Sequence, residues 1–423
     1  MNAPFPLAGD VQVAPAQERG SPLHLVAILC LAAIARAMFW NVRPPDMGIF
    51  LEPWFAHIVH YGPVGAFAHP FSNYEPAYLY LLAAGSLAAS FATPMTIIKI
   101  LSVAGTLFLT LAFAKLLEAA GVARRNAWLL LVLPSVVFND ALLAQCDALW
   151  AGACVFALAA MIRGRTLVSM VWCGVAMAFK AQAAFIAPVI VGAMIGRRAP
   201  LWQWAVPALV FLATLVPPFA MGWPGMKLLT VYLDQAAWDK IPGRLANPWM
   251  FGTMFANHPS RDWFWLGYVA AGAAAVAIAA MAARNVRSPR KLILLGALAG
   301  TMLPFLLPKM LERYYFLGDL MTVALALTWR SRPAIVAMGA VQMATMLSLL
   351  TLMYWFYEPY PALIGSLFAA ASIAIMVRMA APAIRSLVPN LRGSKHPEVE
   401  APGGRVAARQ PAVDDQRRAV DVA

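Results

Sequence analysis

Two carboxylates, Asp46 and Glu52, are the first side chains in the sequence whose type and setting could do chemistry. They lie within residues 41–80, a segment rich in Pro, Trp, Tyr and His that follows one apolar stretch and leads into another. A carboxylate held beside a hydroxyl group can take up its proton as a general base. We therefore predict Asp46 as the general base of an active-site loop and Glu52 as a binding residue of the same loop.

Other charged and amide side chains stand in short polar hinges between apolar segments, far apart in the sequence. Cations among them could hold an anionic ligand, and the carboxylates and amides could bind hydroxyl groups or orient the cations. The alternative is that they are ion-paired helix ends that only fix packing. The predicted binding residues are Gln145, Asp147, Lys180, Gln182, Lys309, Glu312, Arg313 and Tyr314, and the same polar set includes Asp140, Asp234, Asp239, Lys240, Arg244 and Asp319.

Metal ligation is the weaker interpretation of the acidic and histidine side chains. His57 and His60 stand three residues apart, as metal ligands can, but no further ligand set has a matching spacing. Asp46, Glu52 and Asp147 could together bind a divalent cation, yet we expect none and predict no cofactor. The cysteines lie in or beside apolar segments without ligand-like spacing, which disfavours a disulfide or metal framework.

The composition points to a membrane protein. Of the 423 residues, 62% are hydrophobic and only 12% are charged, about half the charged fraction of a typical soluble domain. Apolar runs long enough to cross a bilayer recur along nearly the whole chain. The net charge of +13 does not indicate nucleic-acid binding, because the basic residues cluster in short loops and no binding motif or basic domain accompanies them.

The basic loops assign the two sides of the membrane. Loops rich in Arg and Lys tend to stay in the cytoplasm, and pairs of apolar helices lie between successive basic loops. The polar hinge within each pair should therefore face outward. The predicted pairs are 126–139 with 147–162, 166–180 with 182–196, 200–220 with 264–283, 292–308 with 314–329, and 333–352 with 362–380.

The beginning of the chain poses a parity problem. If residues 1–21 and 124–125 are both cytoplasmic, an even number of crossings must separate them, but three apolar stretches are available. We predict that 22–40 and 94–118 cross and that 75–92 is an interfacial helix. The predicted fold is an all-α polytopic membrane protein with about 12 (11–13) transmembrane helices and outer-surface juxtamembrane helices in the first loop.

Two terminal tails are predicted to flank this membrane domain of residues 22–384. Residues 1–21 and the basic residues 385–423 lack apolar periodicity and are expected to be disordered cytoplasmic tails. Arg36, in the first span, is explained equally well by snorkelling to the interface and by contact with a lipid phosphate. An aromatic belt at the interface is predicted for Tyr354, Trp355, Tyr357 and Tyr360.

Six pieces of sequence, taken in order, resemble the GT-C superfamily of integral-membrane glycosyltransferases. The resemblance is strongest to its bacterial mannosyltransferase-like branch, which uses polyprenyl-phosphate sugars, and it extends from Leu23 to Met379. It implies a GT-C type fold, an Asp in the first outer loop as catalytic base, a lipid-linked donor and transfer outside the cytoplasm. The pieces are PPDMGIFLEPW (44–54), FSNYEPAYLYLL (71–82), ALLAQCDALWAG (141–152), AFKAQAAFIAP (178–188), ANPWMF (246–251) and LPKMLERYYFLGDL (307–320).

The last of these pieces departs from the pattern of the branch at one position. Members of the branch usually read Lys-Met-His-Glu-Arg-Tyr, and Leu311 stands here in place of the His. If that His contacts the donor phosphate, this protein must use another group, or its activity or choice of donor differs.

The resulting prediction is a hexosyltransferase of GT-C type in the bacterial inner membrane, with its active site facing the periplasm. It would transfer a hexose such as mannose from a polyprenyl-phosphate donor to a lipid-linked or cell-surface glycan acceptor. Besides these two substrates, the expected partners are membrane lipids, and we expect no nucleic-acid partner.

The predicted mechanism uses cations for the leaving group. Lys180 and Arg313, with Lys309 or Arg36, would hold the departing phosphate. One base and direct displacement give inversion, whereas retention would require Glu52 as a nucleophile about 5 Å away.

Two other classes of function share some of these features. A transporter or lipid flippase would distribute its charged residues through the membrane midplane, whereas here they are predicted to gather at one surface. A glycan polymerase or ligase would depend on the long loop 222–263, which contains Arg244 and Arg261.

Overall fold

The computed structural model describes residues 22–237, 244–251, 263–353 and 360–385, all within one compact unit that spans Met1–Leu387. Predictions for the two tails, for Asp239, Lys240 and Arg261, and for Tyr354, Trp355 and Tyr357 fall outside these ranges. Every regular element in the described residues is a helix. The α-helices are α1 (Pro22–Phe39), α2 (Glu52–Tyr61), α3 (Pro76–Ser86), α4 (Pro94–Ala119), α5 (Pro134–Val137), α6 (Asp147–Ile162), α7 (Thr166–Phe179), α8 (Ala187–Gly196), α9 (Val206–Ala220), α10 (Gly225–Ala237), α11 (Phe264–Arg284), α12 (Pro289–Leu306), α13 (Phe316–Trp329), α14 (Arg332–Met353) and α15 (Tyr360–Arg385).

Six helical segments of the described residues are long and apolar enough to cross a membrane. Five further apolar helices are shorter than 18 residues, among them α6, α7 and α13. The predicted all-helical fold with candidate membrane spans is therefore confirmed, whereas the predicted number of about twelve crossings is not. The six candidate spans are Pro94–Ala119, Leu201–Ala220, Phe264–Arg284, Pro289–Leu306, Arg332–Met353 and Tyr360–Pro382.

The stretch 126–139, predicted as a single span, consists of short helical pieces. A 3₁₀ helix covers Arg124–Val132, α5 follows, and a π-helix covers Phe138–Leu142. Pro134 explains the break, because proline disfavours a helical conformation of the residue before it, and Leu133 is extended with φ −67° and ψ 125°. Apolarity alone did not reveal this interruption.

The segment between α1 and α4 folds into helices with an apolar core of their own. It contains a π-helix (Met47–Leu51), α2, a 3₁₀ helix (Gly65–Ala68) and α3. Met47, Phe55 and Leu79 are fully or almost fully buried in its core. With 11 residues, α3 is about 16 Å long and too short to cross a bilayer. The interfacial position of this segment remains a prediction.

Buried polar contacts hold the first helix in place. Arg36 is 8% exposed and its Nη2 lies 2.6 Å from Oδ2 of Asp140, which also accepts a hydrogen bond from Thr106 at 2.8 Å. Both explanations predicted for Arg36, snorkelling and contact with a lipid phosphate, are wrong, because its guanidinium is paired inside the helix bundle. The ammonium of Lys99 donates to the carbonyls of Phe39, Trp40 and Val42 at 2.7–2.8 Å, so it caps α1 where the first loop begins.

Two glycines allow α8 and α11 to approach closely. A Cβ at Gly192 would overlap the carbonyl oxygen of Ala279, and one at Gly196 would overlap that of Ala283. These obstacles are backbone atoms, so a side chain cannot simply rotate away from them. Small residues four positions apart are typical of close helix contacts in membrane proteins.

Replacing Gly192 with Ala is expected to destabilise the protein by about 1–3 kcal/mol, because the added methyl group must push the two helices apart. Gly272→Ala is the matched control, since Gly272 lies on the facing helix α11 and has no atom within 4 Å of its Cβ position. It should be neutral or slightly stabilising because Ala favours helices over Gly. Thermal unfolding of the detergent-purified variants measures both effects, and equal midpoints would contradict the close contact.

Candidate functional site

A cavity of about 660 Å³ lies where the first loop, the α7–α8 hinge and the segment 307–314 meet. Most of the predicted site residues line its wall although they come from distant parts of the sequence. Arg244 lines it as well, so that four cations and three carboxyl groups border the cavity in the described residues. The predicted residues in the wall are Asp46, Gln145, Lys180, Gln182, Lys309, Glu312, Arg313 and Tyr314.

Asp46 is fixed at the N-terminal end of the π-helix Met47–Leu51. The buried side chains of Met47 and Leu51 anchor this turn in the core of the first loop, and Asp46 remains one-third exposed. Its Oδ2 accepts a hydrogen bond from Nε2 of Gln145 at 3.1 Å and lies 3.3 Å from Nη2 of Arg313. One carboxylate oxygen is therefore oriented by two donors, while the side chain stays open to a ligand.

Behind Asp46, a buried ion pair joins the start of α6 to the end of α7. Nζ of Lys180 lies 2.6 Å from Oδ1 of Asp147, and the two side chains are 7% and 4% exposed. Asn139 donates to Oδ2 of Asp147 at 2.8 Å, and the indole of Trp150 donates to Oδ1 at 3.0 Å. The ammonium also lies 5.0 Å above the ring of Tyr74. These contacts fix the position of the Lys180 charge in the cavity wall.

Arg313 links the carboxylates of the site. Besides Asp46, its guanidinium lies 2.7 Å from Oε1 of Glu312 and 3.7 Å from Oδ2 of Asp147. Lys309, near the start of this segment, has a positive φ of 59°, which turns the chain between α12 and α13. Leu311 lines the cavity at the position where the mannosyltransferase-like branch has a His, and Tyr314 and Gln182 line the same cavity.

Some predicted residues are not brought into this cluster. Glu52 does not line the cavity; it pairs with Arg43, whose Nε donates to Oε2 at 3.1 Å. His57 stacks on Phe71 at 4.4 Å, and the described residues contain no group of three or more His, Cys, Asp or Glu that could hold a metal ion.

Two further acidic residues of the polar set lie in helix contacts instead. Asp319 accepts hydrogen bonds from Thr345 at 2.9 and 3.0 Å, and Asp140 is the buried partner of Arg36. Both residues stabilise contacts between helices. This agrees with the alternative interpretation of the polar hinge residues, in which they only fix packing.

Glu75 is a cavity residue that the sequence analysis missed. It is 1% exposed, and neither of its carboxyl oxygens has a hydrogen-bond partner. This burial raises the pKa of Glu75 from an ordinary 4.5 to about 8. The sequence does contain a signal for this residue, because Glu75 is the one Asp, Glu, Lys or Arg between residues 62 and 98.

Glu75→Gln is expected to stabilise the protein at pH 8 but not at pH 4.5. The unfolded chain loses the proton of Glu75 near pH 4.5, whereas the folded protein keeps it until about pH 8. Folding of the wild type therefore becomes less favourable as the pH rises through this window, and a glutamine removes that loss. Unfolding midpoints of both proteins at several pH values test this, and a constant difference between them would contradict the raised pKa.

Residues 62–196 match the sequence model of a family described as alpha-(1->6)-mannopyranosyltransferase, N-terminal domain. The match contains Gln145, Asp147 and Lys180, whereas Asp46 and Arg313 lie outside it. The resemblance to GT-C type mannosyltransferases is thereby confirmed over this part of the chain. No curated protein matches the sequence. Together with the apolar helices, the family match supports a membrane glycosyltransferase.

Proposed function

We propose that the protein transfers mannose from a polyprenyl-phosphate donor to a lipid-linked or cell-surface glycan acceptor, at the extracytoplasmic side of the membrane. The observation that carries this proposal is the position of Asp46. Its carboxylate shares one cavity with Lys180 and Arg313, which lie where they can hold a phosphate group. A base beside fixed cations is what transfer from a phosphate-activated sugar requires.

The proposed reaction is a direct displacement. The acceptor hydroxyl oxygen forms a bond to C1 of the mannosyl group while the bond from C1 to the phosphate oxygen breaks. Asp46 takes the hydroxyl proton, and the bonding electrons leave with the polyprenyl phosphate, whose negative charge Lys180 and Arg313 stabilise. The donor is already activated, so this step needs no cofactor.

A single displacement inverts the configuration at C1, so a β-linked donor would give an α-linked product. Retention would need a second carboxylate about 5 Å from the first as a nucleophile. Glu52 is engaged by Arg43 and does not line the cavity. Its placement supports the inverting route.

Substrate-binding roles are proposed for the remaining cavity residues. Gln145 and Gln182 present amide groups to the cavity, and Tyr314 presents a phenol beside Gln182. Glu312 and Asp147 hold the two cations in place through direct ion pairs. Lys309 and Arg244 line the same cavity as Leu311, which stands in place of a His, and a role in binding the donor phosphate is proposed for both.

The proposal is tested with membranes from cells that do or do not contain the protein, supplied with polyprenyl-phosphate mannose. Mass analysis of the glycolipids should reveal one species that carries an extra mannose only when the protein is present. Equal transfer from a nucleotide-activated mannose would contradict the proposed donor. Movement of the lipid-linked sugar across vesicles without a new glycosidic bond would contradict the transferase and favour a flippase.

A further inference from the structure

A second cavity, of about 520 Å³, shares a wall with the first. Phe50, Trp54, Asn73 and Gln235 line both spaces. Phe50 follows Asp46 by one turn of the π-helix, so the two cavities meet close to the proposed base. We call the second space the aromatic cavity, because the rings of Phe50, Trp54, Phe71 and Trp223 border it.

The wall of the aromatic cavity contains polar atoms that have no partner in the protein. Oδ1 of Asn73 and Nε1 of Trp223 are buried and make no hydrogen bond, and both residues border this cavity. Two residues beyond Asn73, the carboxyl group of Glu75 is likewise unpartnered in the wall of the first cavity. Folded proteins rarely leave buried donors and acceptors unpaired. The two unpaired atoms in the wall of the aromatic cavity, with the unpaired carboxyl group of Glu75 in the adjoining first cavity, therefore indicate a ligand with hydroxyl groups.

The chemistry of the wall distinguishes that ligand from the phosphate-bearing donor. Four cations and three carboxyl groups border the first cavity, whereas among the described residues the aromatic cavity has one cation and one anion, the exposed Lys227 and Asp234 of α10. Such a wall favours a ligand that carries no net charge. Paired rings, Phe50 with Trp54 at 5.9 Å and Phe71 with Trp223 at 5.7 Å between centroids, offer apolar faces. A pyranose combines an apolar C–H face with hydroxyl groups and fits this combination.

We propose that the aromatic cavity is the acceptor subsite, which binds the terminal hexose of the glycan through Asn73 and Trp223, while Glu75 contacts the same hexose from the wall of the first cavity. This rests on the proposed function, because it delivers an acceptor hydroxyl to Asp46. The indole of Trp223 would donate to one hydroxyl and the amide oxygen of Asn73 would accept from another. The buried carboxyl of Glu75 keeps its proton at neutral pH and can therefore both donate and accept.

Steady-state transfer by the full chain in a detergent that contains no sugar tests the subsite. Polyprenyl-phosphate mannose is the donor and methyl α-D-mannopyranoside the acceptor probe. Trp223→Phe removes the indole N–H and keeps an aromatic ring, and Glu75→Leu replaces the unpartnered carboxyl with an apolar group of similar size. Each should raise KM for the mannoside about tenfold. Because Trp223 does not border the first cavity, Trp223→Phe should leave KM for the donor within about twofold of the wild-type value.

Two further variants separate binding from a structural effect. Glu75→Gln keeps a donor and an acceptor and should restore KM for the mannoside to near the wild-type value. Trp202→Phe alters a tryptophan that is 61% exposed and borders neither cavity, and it should change no kinetic constant. An unchanged KM for the mannoside in Trp223→Phe and Glu75→Leu, or an equal rise in KM for the donor, would overturn the subsite.

Binding measured without turnover distinguishes failure of the subsite from failure of the proposed function. In equilibrium dialysis with the radiolabelled mannoside, Trp223→Phe should bind it about tenfold more weakly than the wild type. If the wild type transfers no mannose but shows this difference, the aromatic cavity binds the hexose through Trp223, and it is the transferase that is refuted. If transfer is normal and all variants bind the mannoside equally, the transferase stands and the subsite is refuted.

Discussion

Asp46→Asn is expected to lower the rate of mannosyl transfer by about 10²–10⁴-fold, the usual contribution of a general base. An asparagine keeps the shape of the side chain and an acceptor oxygen for Gln145, but its amide cannot take up the proton of the acceptor hydroxyl. Because Asp46 is one-third exposed, the exchange buries no new polar group and should leave the unfolding midpoint almost unchanged. Transfer assays on membranes with equal amounts of wild type and variant measure the effect.

Glu52→Gln is the matched control for this experiment. Glu52 lies six residues away in the same loop, but its partner is Arg43, and it does not line the cavity. Its replacement should change the rate by no more than about twofold, because Glu52 does not border the cavity in which the reaction is proposed. Normal turnover by Asp46→Asn would remove that residue from the role of base. A large loss in Glu52→Gln instead would indicate a retaining reaction with this carboxylate as nucleophile.

Much of the candidate site could be predicted because charged groups at the ends of apolar helices must find polar partners. Asp147 begins α6 and Lys180 directly follows α7, and a bilayer makes isolated charges at such positions costly. Pairing in a shared cavity removes that cost. The hydropathy pattern therefore indicated which polar residues lie at the same end of the helices, and the structure brings Asp46, Gln145 and Arg313 together with them.

What could not be predicted depends on tertiary contacts or on local backbone geometry. The partner of Arg36 lies 104 residues away, and no pattern in the sequence selects Asp140 over a lipid phosphate. Glu52 is engaged by Arg43, nine residues earlier, instead of bordering the cavity, and no pattern in the sequence predicted this pair. The number of spans was uncertain for a similar reason. Proline breaks and short helices change the length of an apolar segment without changing its composition.

Lys180→Met is expected to lower the free energy of unfolding by about 3–5 kcal/mol, because it leaves Asp147 buried without its nearest cation. Methionine has about the volume of the lysine stem, so a cavity contributes little to the loss. The remaining donors to Asp147 are Asn139 and Trp150, and Arg313 stands farther off at 3.7 Å. Unfolding of the purified protein by heat or denaturant measures the change.

Lys115→Met provides the matched comparison for a lysine paired at the surface. Lys115 lies 3.3 Å from Glu118, and the two side chains are 39% and 41% exposed. Such pairs contribute about 0–1 kcal/mol, so this variant should be nearly as stable as the wild type. Equal losses in the two lysine variants would contradict the assignment of Lys180 and Asp147 as a buried ion pair.

The double variant Lys180→Met with Asp147→Asn separates the folding role of the pair from its role in the reaction. The asparagine is neutral and still offers an acceptor to Trp150, so most of the lost stability should return. Activity should not return, because the cavity would still lack the cation proposed to hold the departing phosphate. A stable and fully active double variant would show that the pair serves packing alone and that Arg313 and the other cations suffice. A stable and inactive one would assign the Lys180 charge to the ligand.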